Sequence, residues 1–122
     1  MLRVYIVDDS QAVRERLVEL LAGLEGVEVA GMAADGEAAM AGIAALRPDA
    51  VFLDINLPGR NGLEVLRAVK AAPSPPRVYM LTNYPHPLYW KKCMDEGADG
   101  FFDKTAEFHR VVETVRELLR SR

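Results

Sequence analysis

The chain has 122 residues, half of them hydrophobic, enough to build the core of one domain spanning 1–122. Acidic residues outnumber basic ones 18 to 15, and a formal net charge of −3 leaves no basic surplus that would point to direct nucleic-acid binding. The single cysteine, Cys93, excludes an intrachain disulfide, and no apolar run approaches the ~18 residues of a membrane span.

The N-terminus has no signal-peptide pattern, because strand-like sequence carrying charges begins at once, and the chain reads as cytoplasmic. Val4-Tyr5-Ile6-Val7 predicts a first strand that runs into Asp8 and Asp9. Ser10 is placed to cap a helix whose stripe is Val13, Leu17, Leu20, Leu21 and Leu24. Val27, Val29 and Ala30 predict a weaker second strand. From Glu37 to Leu46 the chain is rich in alanine, with Met40, Ile43 and Leu46 in helical phase. Pro48 ends that helix and launches Val51-Phe52-Leu53, a strand that closes on Asp54. Leu63, Leu66 and Val69 mark a third helix after Gly62.

Pro73-Ser74-Pro75-Pro76 is a stiff connector, too short to join two domains. It leads to Val78-Tyr79-Met80-Leu81, with Thr82 next. Pro85 and Pro87 bracket the start of a fourth helix, a position where proline is tolerated, and Gly97 stops it. Gly100-Phe101-Phe102 is the last strand, and Lys104 lies two residues beyond. Thr105 is placed to cap a fifth helix, with Glu107 in the first turn, where the dipole favours an anion. The stripe of that helix is Phe108, Val111, Val112, Val115 and Leu118, and its arginines alternate with Glu113 and Glu117 as a solvated face.

A strand–helix unit met five times implies a parallel sheet with helices on both faces, a doubly wound α/β fold. Ligands in such sheets bind beyond the carboxyl ends of the strands. Asp8, Asp9, Asp54, Thr82 and Lys104 all map to that edge. Crowded carboxylates repel and need a cation to stay ionised. Mg2+ suits oxygen ligands of this kind, and no His/Cys cluster suggests zinc. Asn56-Leu57-Pro58-Gly59 turns the chain after Asp54, which predicts an exposed carboxylate able to attack phosphorus and form an acyl phosphate. The Lys104 ammonium and the Thr82 hydroxyl would then meet phosphoryl oxygens.

The residues that carry this pattern are Val7-Asp8-Asp9-Ser10, Leu53-Asp54-Ile55-Asn56-Leu57-Pro58 followed by Gly62, Leu81-Thr82-Asn83, and Gly97 to Lys104. Over essentially its whole length the chain resembles a response-regulator receiver domain of bacterial two-component signalling, of the stand-alone type or cut from a longer regulator. The resemblance implies a flavodoxin-like (βα)5 fold with strand order 2-1-3-4-5. It implies that Asp54 is the phosphoacceptor, and that Asp9, Asp54 and the Asn56 backbone carbonyl hold Mg2+ while Asp8 assists mostly through water. It further implies that Thr82 and Lys104 are the signalling hydroxyl and the phosphoryl-binding lysine, with Phe101 as the aromatic switch. The implied donor is a histidine kinase or phosphotransfer protein, and a downstream protein partner reads the surface of helix 4, strand 5 and helix 5. The oligomeric state stays open.

Three positions depart from the family pattern. Asn83 replaces a small residue and predicts a narrower approach to Asp54. Phe101 lacks the hydroxyl of the tyrosine often found there. Thr105 stands where proline usually follows the lysine; a cis bond before a non-proline costs ~3 kcal/mol, so that turn is either trans or strained. Tyr84, Tyr89 and Trp90 cluster near the start of the fourth helix and read either as core, beside a buried stripe of Leu88 and Cys93, or as interface anchors. Two other functions compete: a pseudo-receiver that binds without phosphorylation, and a Mg2+-dependent aspartyl phosphohydrolase. The second lacks an Asp-x-Asp around Asp54 and a cap insertion. A dinucleotide binder is excluded because no Gly-x-Gly-x-x-Gly follows the first strand.

Overall fold

The computed structural model describes residues 1–83 and 86–121; Tyr84, Pro85 and Arg122 lie outside the described residues. Strands and helices alternate as β1 (Leu2–Val7), α1 (Gln11–Ala22), β2 (Val27–Ala33), α2 (Gly36–Leu46) and β3 (Ala50–Asp54), then α3 (Gly62–Lys70), β4 (Arg77–Thr82), α4 (Pro87–Asp95), β5 (Gly100–Asp103) and α5 (His109–Arg120). The strands form one parallel sheet in the order β2-β1-β3-β4-β5.

Side chains along a strand point to alternate faces, and here both faces are apolar. Val7, Val51, Leu53, Val78 and Met80 pack with Ile43 of α2, Val65 and Leu66 of α3 and Cys93 of α4. Val4, Ile6, Phe52, Tyr79, Leu81 and Phe102 pack with Leu17 and Leu21 of α1 and Val111 and Val115 of α5. Phe52, Tyr79 and Phe102 stack in succession across three strands, with ring centroids 5.3 and 6.0 Å apart. Each fully buried aliphatic or aromatic side chain contributes roughly 1.5–3 kcal/mol, so the two-faced core is what holds the sheet edge in place.

Register converts strand ends into a site. Val7 pairs with Leu53, so Asp8 and Asp54, each one step further, emerge side by side. Asp54 pairs with Leu81 and Thr82 with Asp103, which brings Thr82 and Lys104 to the same edge. The chain winds outward in opposite senses from β1 and β3, so this edge is also the topological switch point.

Several local expectations need correction. The second strand is longer than Val27–Ala30, reaching Ala33, because pairing with β1 resumes after a register shift at Val4/Tyr5. Helix α2, by contrast, ends at Leu46 just ahead of Pro48 as expected, with Arg47 in the left-handed conformation at φ 48°. Thr105 does not cap α5, which starts at His109 with no side-chain cap. Its hydroxyl bonds the Asp103 carboxylate instead, so Glu107 precedes the helix rather than lying in its first turn. Leu88 is 62% exposed and supplies no buried stripe; that role in α4 falls to Cys93, because five residues of a 3.6-residue-per-turn helix set the two side chains about 140° apart. The Lys104–Thr105 peptide is trans, since no cis bond occurs among the described residues.

Candidate functional site

Asp8 leaves β1 with its backbone N–H bonded to Ala33 and its carbonyl held by the Arg14 guanidinium at 2.7 Å. Its Oδ1 accepts from the Ser10 N–H at 2.9 Å, and Ser10 Oγ caps α1 at Val13. The same turn that starts the helix therefore turns Asp8 inward, while Asp9 stays exposed.

Asp54 ends β3. Its Oδ1 accepts from the Asn56 N–H at 3.1 Å, which curls the following loop back over the carboxylate. Ile55 and Leu57 are buried beneath that loop, and the Ile55 carbonyl accepts from the Gly62 N–H at the start of α3. Asp54 is consequently only 2% exposed, not an open carboxylate as the turn suggested. The Asn56 N–H bond and the Lys104 side chain cover the group.

The Lys104 ammonium lies 2.8 Å from Asp8 Oδ2 and 3.2 Å from Asp54 Oδ2. Its backbone N–H donates to the Thr82 carbonyl at 2.8 Å, which ties the end of β5 to the end of β4. Thr82 itself is fully buried, Phe101 is half-buried against the α2–α3–α4 core, and Asn83 and Asn56 are exposed.

Electrostatics follow from this packing. Burial raises the Asp54 pKa to about 6, the nearby Asp8 charge pushes the same way, and Lys104 and the Asn56 N–H oppose them. Burial works against the Lys104 charge, yet its hydrogen bond to Asp8 and the Asp54 charge prevail and hold its pKa above the ordinary lysine value. Oxygens of Asp8, Asp9 and Asp54 all lie within 4.8 Å of one another. A donor set made only of carboxylates is hard, and it fits a hard divalent cation such as Mg2+ better than zinc.

Of the residues singled out from sequence, Asp8, Asp9, Asp54, Thr82 and Lys104 thus share one edge. Tyr89 and Trp90 do not belong to it. They lie on α4, 42% and 53% exposed. Trp90 borders a cavity of about 390 Å³ shared with Met94, Phe101, Phe102, Arg110 and Glu117. Tyr84 lies outside the described residues. Sequence reasoning missed Arg14, whose contact with the Asp8 carbonyl depends on the first turn of α1. It also missed the Asp103–Thr105 pairing, whose signal was an Asp two residues before a Thr in a turn.

The chain belongs to the response regulator receiver domain family, whose model matches residues 4–116. It is 31% identical over 118 residues to the response regulator GacA of Pseudomonas aeruginosa, covering 97% of this chain and 55% of that one. The chain therefore spans about half the length of such curated relatives. The signal receiver domain of NarL from Mycobacterium tuberculosis superposes with a TM-score of 0.90 at 33% identity, covering 99% of this chain and 98% of that one. The CheX–CheY–BeF3–Mg2+ complex from Borrelia burgdorferi matches with a TM-score of 0.80 at 28% identity, covering 93% of this chain and 88% of that one. No described helix is long and apolar enough to cross a membrane.

Proposed function

We propose that residues 1–122, as one receiver domain working in the cytoplasm, form a phosphorylation-activated switch with Asp54 as its phosphoacceptor. The observation that supports this reading best is one ammonium shared by two buried carboxylates, Asp8 and Asp54, at the switch point of the sheet. A carboxylate oxygen of Asp54 attacks the phosphorus of the donor. The new O–P bond forms as the donor's N–P or O–P bond breaks, and the electron pair leaves with the donor. The donor is a phosphorylated histidine kinase, a phosphotransfer protein or, in vitro, a small acyl phosphate.

Asp9, Asp54 and the Asn56 carbonyl would hold Mg2+, with Asp8 assisting mostly through water. When bound, that ion supplies positive charge against the three anionic oxygens of the transferred group. Lys104 releases part of its bond to Asp54 and meets a phosphoryl oxygen as a fixed point charge. Phosphorylation adds roughly −1.5 to −2 charges, and the Thr82 hydroxyl turns toward them. Phe101 follows into the space behind Thr82, and the α4–β5–α5 surface, with Tyr89 and Trp90, changes for a downstream protein partner. The domain turns over no independent substrate and is a switch rather than an enzyme.

The test is to incubate the protein with Mg2+ and acetyl phosphate and look for one added phosphoryl group by intact mass spectrometry. The group is expected on the wild type and not on Asp54→Ala. An unmodified wild-type protein under these conditions favours a binding module that works without phosphorylation. Thr82→Ala should take up phosphate yet lose phosphorylation-dependent partner binding; retention of that binding rules out the route through Thr82.

A further inference from the structure

Lys104 is buried, yet it springs from a turn whose next two residues, Thr105 and Ala106, are exposed. A flexible four-carbon side chain does not reach one inward position from a loose turn without loss of order. This turn is closed around Asp103. The Asp103 Oδ1 accepts twice from Thr105, from its N–H at 2.8 Å and from its hydroxyl at 2.7 Å. The Asp103 N–H donates to Glu107 Oε1 at 2.9 Å, and the Asp103 carbonyl accepts from the Glu107 N–H at 2.9 Å. Glu107 is held in turn by Arg110 at 2.6 Å, and the Arg110 guanidinium stacks on Phe102 of β5 at 4.9 Å. On its other side Asp103 pairs with Thr82, and Lys104 N–H bonds the Thr82 carbonyl. Residue 104 is thus clamped from before and after, across a trans peptide and without a proline at 105.

We propose that Asp103 is a positioning residue: with Thr105 and Glu107 it closes the β5–α5 turn that aims Lys104 at Asp54, and so sets the rate of phosphoryl uptake. This inference rests on the reading of Asp54 as acceptor and Lys104 as the phosphoryl-binding cation. Asp103 touches neither Asp54 nor the incoming group; its proposed effect on uptake runs through Lys104. The hydroxyl at 105 supplies by hydrogen bonding the rigidity that a proline ring would supply covalently.

The experiment is a double-mutant cycle on the full chain, read as the rate of phosphoryl uptake from acetyl phosphate with Mg2+, with circular dichroism and thermal melting to establish folding. Asp103→Ala should slow uptake by ~10-fold in the wild-type background, as a misaimed catalytic group does. In a Lys104→Met background it should cost nothing further. Asp103→Asn, which keeps the Oδ1 acceptor, should restore most of the rate. Thr105→Val, which loses only the hydroxyl bond, should give an intermediate loss and takes the place of Asp103→Ala if that variant does not fold. Equal losses in both backgrounds, or an undiminished rate in Asp103→Ala or Thr105→Val, overturn the inference while leaving the acceptor reading intact. An undiminished rate in Lys104→Met itself overturns both the lysine's proposed role and this inference; no phosphoryl uptake by the wild type overturns the acceptor reading beneath them.

Discussion

Lys104 and Asp8 stand 96 residues apart in the chain and 2.8 Å apart in the fold. Both are buried, and the same ammonium also reaches Asp54. Removing one member of a buried ion pair leaves the other charge without compensation. Lys104→Met should therefore destabilise the protein by about 3 kcal/mol at pH 7, measured by urea unfolding. It should also raise the Asp54 pKa further, because the opposing positive charge is gone. An NMR titration of the Asp54 carboxyl carbon checks this, and an unchanged midpoint would show that the ammonium does not couple to Asp54.

The Asp54 titration makes stability depend on pH in an unusual direction. Its folded pKa, about 6 through burial and the Asp8 charge, lies above the ordinary unfolded value. The folded state then binds the proton more tightly than the unfolded one. Stability of the metal-free protein should fall as pH rises from about 4 to about 6, by up to about 3 kcal/mol, and level off above. Asp99 acts in the opposite sense outside that window. Burial opposes its charge, but hydrogen bonds from Lys70 and Val78 prevail and lower its pKa, so its contribution is lost only in stronger acid. Asp54→Asn should abolish the slope between pH 4 and 6 and raise the melting temperature at pH 7. Melting curves across that range decide the matter.

Gly62 begins α3 directly against the acceptor strand. A Cβ built there would run into the Asp54 carbonyl oxygen, and it would lie 2.7 Å from Ile55 Cα, closer than real contacts allow. Both obstacles are backbone and cannot swing aside. Gly62→Ala should cost about 1–3 kcal/mol, as overpacking does, and should slow phosphoryl uptake by shifting residues 54 and 55. A variant with wild-type melting and wild-type uptake would show that the loop has slack.

Trp90 is the only tryptophan and sits half in solvent beside the cavity that Phe101 borders. Trp90→Ala should change stability by no more than about 0.5 kcal/mol, as surface substitutions do. In the wild type its emission should change when acetyl phosphate and Mg2+ are added, because Phe101 moves. Asp54→Ala should show no change, and a flat wild-type signal alongside confirmed phosphorylation would mean that Phe101 stays in place.

Much of the fold was open to reading from the chain because its signals are local. Apolar runs at Val4–Val7, Val51–Leu53 and Val78–Leu81 are short and unbroken, as strands covered on both faces must be. The helical stripes between them repeat with the right period, and Ser10 and Gly62 mark helix starts where the structure has them. A charged or hydroxyl residue within two positions of the end of such a run emerges at the carboxyl edge, so Asp8, Asp9, Asp54, Thr82 and Lys104 could be assigned to it from spacing.

Burial and pairing depend on what other segments lay beside a residue. Asp54 is followed by a turn, and a turn taken alone suggests exposure; parallel pairing with β1 and β4 and the reach of Lys104 cover it. Thr105 has the chemistry of a helix cap, but Asp103 is nearer and already ionised, so the hydroxyl closes a turn and α5 begins four residues later. Leu88 fits a buried stripe by composition, yet it lies five residues before Cys93, on a different side of α4, and faces outward. Helical and strand periods are carried by each segment's own residues. Solvent exposure, ion pairing and a carboxyl pKa near 6 arise between segments far apart in the chain, and they come into being when the sheet closes.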